Sequence, residues 1–311
     1  MPKTSTDLSR QVLNGPTMGT RWSVVLYAAA GFDLVSLQAD LQAAVDEIDV
    51  QMSTWKPQSD LMRLNAAPVG EWVTLPERLL TVLGKSLEIG RISGGAFEIA
   101  MGDAITAWGF GPATADPQAI RAARLRQRRP SFETLALDLA GRAALKEAEM
   151  TLDLSGIAKG YGVDRLAELL QRRGIAHALA AIDGELRAIG GQPDGRGWAV
   201  AVERPDPETR TPHSMLEVRD IAIASSGDYR QWVMVGERRL SHTMNPTTGA
   251  PLLCGPAAVT VLAGTCIEAD ALASAFMVLG EDQGTTLARK LGIDALFLKD
   301  SDRTAATFSD F

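Results

Sequence analysis

An acidic and a hydroxyl side chain lie one helical turn apart near the C-terminal end of the chain, at Asp270 and Ser274. On a helix, side chains at positions i and i+4 share one face, so both oxygens can reach the same ligand. Hard cations such as Mg²⁺ prefer oxygen ligands and usually take only one or two carboxylates from a protein. The pair therefore predicts a divalent-cation site, and an aspartate that caps a neighbouring turn is the alternative.

A second candidate segment runs from Asp153 to Lys159, where the strand-like stretch TLDL breaks into a turn with a glycine and then into a helix. Such a turn presents backbone N–H groups and a helix N-terminus to an anion, and Lys159 adds a positive charge. The GxxxxGK[ST] pattern of a Walker loop is absent. The segment indicates an anion site, with an ordinary strand-to-helix turn as the alternative.

A histidine and two segments rich in glycine and aromatic residues are further candidates. His242, one of three histidines in the chain, lies between a serine and an Asn-Pro turn. An imidazole can take up a proton near neutral pH, so His242 is a candidate base, and a structural histidine is the alternative. Glycines beside aromatic residues at 94–98 and 108–112 would let a flat ring approach the backbone, although core packing explains them equally well.

These segments must be positioned by a scaffold, and the hydrophobic pattern predicts an α+β (mixed α/β) fold for it. Apolar residues at steps of three and four predict helices, and runs of β-branched and apolar residues predict strands. The predicted helices cover 34–52, 76 to the glycine pair at 94–95, 161–173, about 268–279 and 283–290, and the predicted strands cover 21–28, 178–182, 198–203, 221–225, 257–263 and 294–299. Residues 1–16 are predicted to be an N-terminal tail, and residues 17–311 a single domain.

Composition bounds the class of protein. The chain of 311 residues is 46% apolar and 22% charged, as expected for a globular protein with a sizeable core. Its net charge of −7 argues against nucleic acid or anionic lipid as a partner, and no stretch is apolar enough to span a bilayer. Without a signal peptide we expect a cytoplasmic location for the chain as written, and an exported one if a leader was removed. The spacing of Cys254 and Cys266 leaves a disulfide between them open.

Taken together and in order, these segments resemble the FAD:protein FMN transferase (ApbE) family. The matching segments are TMGT (17–20), MSTW (52–55) with Ser59 and Asn65, GAFE (95–98), WGFG (108–111), LDLSGIAKGYGVD (152–164), ASSGDY (224–229), SHTMNPTTGAP (241–251) and ADALASAF (269–276). They span most of the chain. No single segment is decisive, but the ordered set is far from what chance would produce.

The resemblance implies a bilobed α/β fold that binds FAD in a cleft, with Mg²⁺ at the pyrophosphate. Members transfer FMN from FAD to a threonine or serine of a client protein and release AMP. The positions that match FAD-contacting residues are Met18, Trp55, Ala96, Phe97, Glu98, Asp153, Lys159 and Met244. The positions that match metal ligands are Gly156, through its carbonyl, Asp270 and Ser274. His242 matches the family's histidine, and either His242 or Asp153 is the candidate base for the acceptor hydroxyl.

The chain departs from the family pattern at a few of these segments. Glu98 and Asn245 stand where aspartate is usual, Ser274 stands where threonine is usual, and the usual GGD triplet is replaced by DGE at 183–185. Serine retains an oxygen donor, so the predicted metal ligands are all present. The changes on the flavin side leave open an FAD-binding protein without transfer, or a Mg²⁺-dependent pyrophosphatase that splits FAD into FMN and AMP. A structural or interaction protein that has lost its ligand is the alternative from another class.

Overall fold

The computed structural model of the chain describes residues 8–206, 208–209, 211–228, 232–235 and 238–299. Within them the helices are α1 (Leu34–Met52), α2 (Asp60–Ala66), α3 (Glu77–Ile92), α4 (Gly102–Ala107), α5 (Pro117–Leu125), α6 (Ser131–Thr134), α7 (Ala158–Arg172) and α8 (Cys266–Leu291). The strands are β1 (Leu8–Thr17), β2 (Thr20–Ala29), β3 (Trp72–Thr74), β4 (Leu135–Asp138), β5 (Ala143–Lys146), β6 (Ala178–Ile182), β7 (Glu185–Ile189), β8 (Trp198–Glu203), β9 (Pro212–Val218), β10 (Ala222–Gly227), β11 (Trp232–Val235), β12 (Arg238–Ser241), β13 (Met244–Asn245), β14 (Ala250–Pro251), β15 (Ala258–Ala263) and β16 (Asp294–Leu298).

A seven-stranded sheet in the order β1-β2-β6-β7-β10-β15-β16 forms the centre of the fold. Each strand in it is antiparallel to its neighbours. Successive side chains of a strand point to opposite faces, so Val24 and Leu26 pack with α1 and α7, whereas Val25 and Tyr27 pack with the β8–β9 hairpin. Helices and an antiparallel sheet in one fold confirm the predicted α+β class.

The prediction of an N-terminal tail over residues 1–16 is wrong for 8–16, which form most of the edge strand β1. Ten residue pairs join β1 to β2, from Leu8 opposite Ala29 to Thr17 opposite Thr20. The strand is polar and contains Pro16, which an edge strand tolerates because one side of its backbone needs no partner. Residues 1–7 lie outside the described part of the chain.

The long helices formed where periodicity predicts them. In α1 the buried side chains include Leu37, Leu41, Val45 and Ile48, and Asp33 caps the helix by accepting a hydrogen bond from the amide of Ser36. The two largest cores share this helix: Val45 belongs to the core with β2 and α7, and Ile48 to the core with α3 and α8. The sheet and the helices thus form one connected interior.

Two helix boundaries bear directly on the candidate site. Helix α7 begins at Ala158, three residues before the predicted start, so Lys159 lies in its first turn. Helix α8 contains a kink at Gly280, whose φ of 74° separates the two helices that the sequence predicts.

Both cysteines are free thiols, Cys254 exposed and Cys266 buried, so they form no disulfide. No helix among the described residues is long and apolar enough to cross a membrane.

Candidate active site

Asp270 lies where α7 crosses α8, and its burial leaves only 3% of the residue exposed. Its Oδ2 accepts a hydrogen bond of 2.9 Å from the backbone N–H of Gly160 in α7. A Cβ on Gly160 would lie 2.7 Å from the Cβ of Asp270 and 2.3 Å from the carbonyl oxygen of Cys266. The close approach of the two helices therefore requires glycine at 160, and it places the carboxylate against the first turn of α7.

Asp164, which the sequence analysis did not single out, fixes the start of α8. Its two carboxylate oxygens accept hydrogen bonds of 2.9 Å from the amides of Cys266 and Ile267, the first residues of the helix. Arg187 of β7 donates to the same carboxylate at 2.6 Å. A negative charge is favourable at a helix N-terminus, and this contact sets the position of Asp270 one turn later.

The predicted metal ligands Gly156 and Ser274 lie together. A Cβ on Gly156 would come within 2.9 Å of the Ser274 Oγ and 3.4 Å of the ring of Phe97. The hydroxyls of Ser274 and Ser226 in β10 are 3.3 Å apart. The bare Cα of Gly156 therefore leaves room beside the Ser274 oxygen, on the helix face that also carries Asp270.

Lys159, in the first turn of α7, takes part in a charge cluster with two carboxylates. Its Nζ donates to Glu185 Oε1 at 2.8 Å and lies 3.8 Å from the Asp183 carboxylate. Glu185 is 2% exposed, and its Oε2 has no hydrogen-bond partner among the described residues. Asp183 and Glu185 belong to the DGE segment, which stands where the resemblance expects the GGD triplet. Their contact with Lys159 could not be predicted from the sequence, because each lies more than twenty positions from Lys159 in the chain.

Burial dominates the electrostatics of these carboxyl groups. It raises the pKa of Asp270, opposed by the Lys159 charge and the Gly160 N–H. It also raises the pKa of Glu185 from 4.5 to about 7, helped by Asp270 and opposed by Lys159. Burial lowers the pKa of Lys159, but the carboxylates around it, Glu185 foremost, raise it further, and the net pKa is above the usual range. The lysine is therefore charged, and the carboxylates favour a further cation.

Asp153 is held by backbone pairing and by an asparagine. Its amide donates to the Ile99 carbonyl at 2.8 Å, and its carboxylate accepts from the amide of Ser155 at 2.8 Å. Asn65 donates to the carbonyl of Leu152 and accepts from its amide, at 2.9 and 2.7 Å. Burial raises the pKa of Asp153, against the hydrogen bonds from Ser155. Asn65 thus has a positioning role that the sequence motif alone did not reveal.

Glu98 is engaged by the backbone on both of its oxygens. Oε1 accepts from the amide of Ala100 at 2.8 Å, and Oε2 accepts from the amide of Ser131 at 2.9 Å. These bonds tie the segment that contains Ala96 and Phe97, both packed against the core with α3 and α8, to the start of α6. The contact of Glu98 with FAD, which the resemblance implies, stays a prediction.

His242 and Met244 belong to a separate group around the Trp108 segment. The Trp108 Nε1 donates to the carbonyl of Gly249 at 3.0 Å, and Met244 is buried in the same small core as Trp108. The rings of Phe110 and His242 meet edge to face, with centroids 6.4 Å apart. This group is connected to the Asp153 segment through the amide of residue 102, which donates to the carbonyl of residue 151 at 2.9 Å.

The remaining predicted FAD contacts lie at the ends of β1 and α1. Met18 occupies the β1–β2 turn with a φ of 46°, and a Cβ on Gly162 would lie 3.5 Å from its Cε. Trp55 follows α1 and is 64% exposed, so its aromatic side chain is accessible from solvent. Met18 is therefore adjacent to α7, and the contact of Trp55 with FAD stays a prediction.

The donor set fits a hard divalent cation. Asp270 supplies a buried carboxylate, Ser274 a hydroxyl, and the space beside Gly156 is one that any side chain there would fill. The described residues contain no group of three or more His, Cys, Asp or Glu that could hold a metal, which is the ligand set a zinc or iron site would need. A site with one carboxylate and neutral oxygens suits Mg²⁺, which fills its remaining positions with water and phosphate.

This chain is similar to known proteins over most of its length. The ApbE family pattern matches residues 18–297. The FAD:protein FMN transferase of Vibrio cholerae is 35% identical over 292 residues, which make up 93% of this chain and 87% of that protein. The solved structure of the flavin transferase ApbE from Vibrio cholerae has a TM-score of 0.84 at 34% identity and covers 95% of both chains. That of the Pseudomonas stutzeri flavinyl transferase ApbE, in its apo form, has a TM-score of 0.81 at 31% identity and covers 94% of this chain and 93% of the other. This chain therefore belongs to the ApbE family.

Proposed function

We propose that this protein transfers the FMN group of FAD to a threonine or serine hydroxyl of a client protein and releases AMP. The observation that carries the proposal is the hydrogen bond from Gly160 to the buried carboxylate of Asp270, which places Asp270 against the first turn of α7, the turn that also carries the charged Lys159. A cation site beside an anion site is what cleavage of a pyrophosphate requires. Curated relatives that carry this activity in their names support the assignment.

The charges in the cluster make the reaction dependent on a divalent cation. One ammonium, that of Lys159, interacts with three carboxylates, those of Glu185, Asp270 and Asp183. Even with Glu185 protonated, the cluster carries a net negative charge, and the doubly charged pyrophosphate of FAD would be repelled from it. We propose that Mg²⁺ binds at Asp270, Ser274 and the carbonyl of Gly156 and reverses this balance. Bound there, it would neutralise charge on the non-bridging oxygens and on the departing AMP.

In the reaction the acceptor hydroxyl oxygen forms a bond to the flavin-side phosphorus, and the bond from that phosphorus to the AMP oxygen breaks. The Lys159 ammonium would stabilise the negative charge of the pyrophosphate. The surrounding backbone would keep the pyrophosphate oriented for in-line attack. The hydroxyl proton goes to a base, and AMP leaves with the electron pair of the broken bond. The products are AMP and a phosphoester that joins FMN to the client.

His242 and Asp153 are the candidate bases. His242 is half-buried against Phe110, in a segment anchored by the hydrogen bond from Trp108 to Gly249. Asp153 is buried, and its raised pKa suits a carboxylate that takes up a proton. FAD contacts at Met18, Trp55, Ala96, Phe97, Glu98 and Met244 complete the proposal.

Incubation with FAD, Mg²⁺ and a candidate acceptor peptide tests the function. Mass spectrometry should detect FMN on a threonine or serine of the peptide, with an equal amount of AMP by chromatography. Replacing FAD with FMN should abolish modification, because FMN has no pyrophosphate to cleave. Release of FMN and AMP without an adduct would make the protein a pyrophosphatase, and FAD binding without AMP would make it a flavin carrier.

A further inference from the structure

Beyond the assigned site residues, we infer that Glu185 is a positioning residue, which holds the Lys159 ammonium in the orientation that meets the pyrophosphate of FAD. The inference rests on the proposed function, since it takes FAD as the ligand. It adds to the site a residue that the motif match did not place there. It also assigns a function to the charge cluster, which is to orient Lys159.

The geometry of the pair supports an orienting role. Glu185 Oε1 accepts a hydrogen bond of 2.8 Å from the Lys159 Nζ, and the glutamate side chain is 3% exposed, whereas that of Lys159 is 29% exposed. The lysine therefore extends from a buried anchor towards the accessible side of the cluster. An ammonium has three N–H donors. When one of them is bound to Glu185, the other two can point at a ligand.

The strand β7 supplies two contacts to α7 from one face. Residues 185 and 187 are two apart, so their side chains project to the same side of the strand. Glu185 binds Lys159, and Arg187 binds Asp164, five positions further along α7. The second pair also caps α8 and thereby places Asp270. One strand face thus sets the positions of both the lysine and the helix that carries the predicted metal ligand.

Stability alone does not explain a glutamate at this position. Its Oε2 is buried and has no hydrogen-bond partner in the part of the chain that the structure describes, and such an oxygen destabilises the folded state. A protein with a buried ion pair is often no more stable than the same protein with two apolar residues of the same volume in place of the pair. The raised pKa of Glu185 reflects the same unfavourable burial. A buried polar group that destabilises the fold and shifts in pKa beside a charge partner is typical of a functional role.

Glu185 could act through its negative charge alone or by orienting the ammonium, and the two roles predict opposite changes in FAD affinity when Glu185 is removed. The direction of the change therefore distinguishes them. If Glu185 acted only by its negative charge, an apolar replacement would free Lys159 and tighten FAD binding. If it positions the ammonium, the same replacement weakens binding although a repulsive charge has gone. Glu185→Met tests this because methionine has a similar length and is accepted in apolar surroundings.

We expect Glu185→Met to weaken FAD binding about tenfold in Mg²⁺, as measured by quenching of flavin fluorescence. Glu185→Gln, which keeps one acceptor oxygen, should retain part of the affinity. Asp183→Asn is the matched control: it removes a carboxylate 3.8 Å from the same ammonium, at a side chain that is 59% exposed, and should leave affinity level or slightly higher.

A double-mutant cycle with Lys159→Met completes the experiment. If Glu185 acts through the lysine, Glu185→Met has no further effect on FAD affinity in the Lys159→Met background. Tighter or unchanged FAD binding by Glu185→Met, or an undiminished effect in that background, would overturn the inference. If Glu185→Met does not fold, the same two comparisons are made with Glu185→Gln. The readout is binding, so a wild type that binds FAD without releasing AMP refutes the transferase proposal and leaves this test intact.

Discussion

The backbone amide of Gly160 donates a hydrogen bond of 2.9 Å to Asp270 Oδ2, which joins the first turn of α7 to the predicted metal ligand of α8. One carboxylate oxygen is thus committed to holding two helices together, and the other is available for a cation. Asp270 therefore has a structural role beside its predicted role as a metal ligand, and its variants must be chosen so that the two can be separated.

Asp270→Asn should fold normally but need far more Mg²⁺ for AMP release. Asparagine retains an oxygen that can accept the Gly160 hydrogen bond, and it loses the only full negative charge among the predicted ligands. The measurement is the Mg²⁺ dependence of AMP release, with Asp270→Ala expected to abolish it. A wild-type Mg²⁺ dependence in folded Asp270→Asn would make the residue a structural cap.

Gly160→Ala should destabilise the protein by about 1–3 kcal/mol, because its methyl group would overlap the carbonyl of Cys266 and the Cβ of Asp270. Gly264→Ala is the control, since a Cβ there would meet no atom within 4 Å. Denaturant unfolding gives the free energy of both variants. Equal stability of the two would show that the helices can separate at little cost.

His242→Ala should slow transfer roughly 10²–10⁴-fold and leave FAD affinity nearly level, if His242 is the base. Asp153→Asn distinguishes the second candidate, since only removal of the base should produce a loss of this size. Single-turnover transfer and equilibrium FAD binding are measured on both variants. Normal turnover in His242→Ala would assign the histidine a structural role against Phe110.

The free energy of unfolding of the metal-free protein should fall as pH rises from about 4.5 to about 7. The pKa of Glu185 is about 7 in the folded state, against 4.5 as its ordinary value, so the folded state binds more protons in this range. The raised pKa values of Asp153, Asp164 and Asp270 act in the same direction. Denaturant unfolding at pH 5 and pH 8 should show the loss, and Glu185→Gln should reduce it. An identical loss in the variant would assign it to the other carboxyl groups.

The sequence by itself determined the features that are encoded in contiguous residues. The steps of three and four in α1 and α3, the break at Gly280 and the shared helix face of Asp270 and Ser274 all follow from local geometry. The family could also be predicted from the sequence, because its motifs are short continuous segments that occur in the expected order along the chain. Local periodicity fails at an edge strand with few apolar residues, and β1 was accordingly missed.

The tertiary structure decided which distant residues meet. Asp164 caps a helix that begins 102 positions later in the chain, and Glu185 reaches Lys159 across 26 positions. Neither contact has a sequence pattern, since each depends on how β7 lies over α7 and how closely α7 approaches α8. That approach is set by the absence of a side chain at Gly160 and by the packing around it. The types of the predicted ligands could therefore be read from the sequence, whereas the balance of charges around them exists only in the fold.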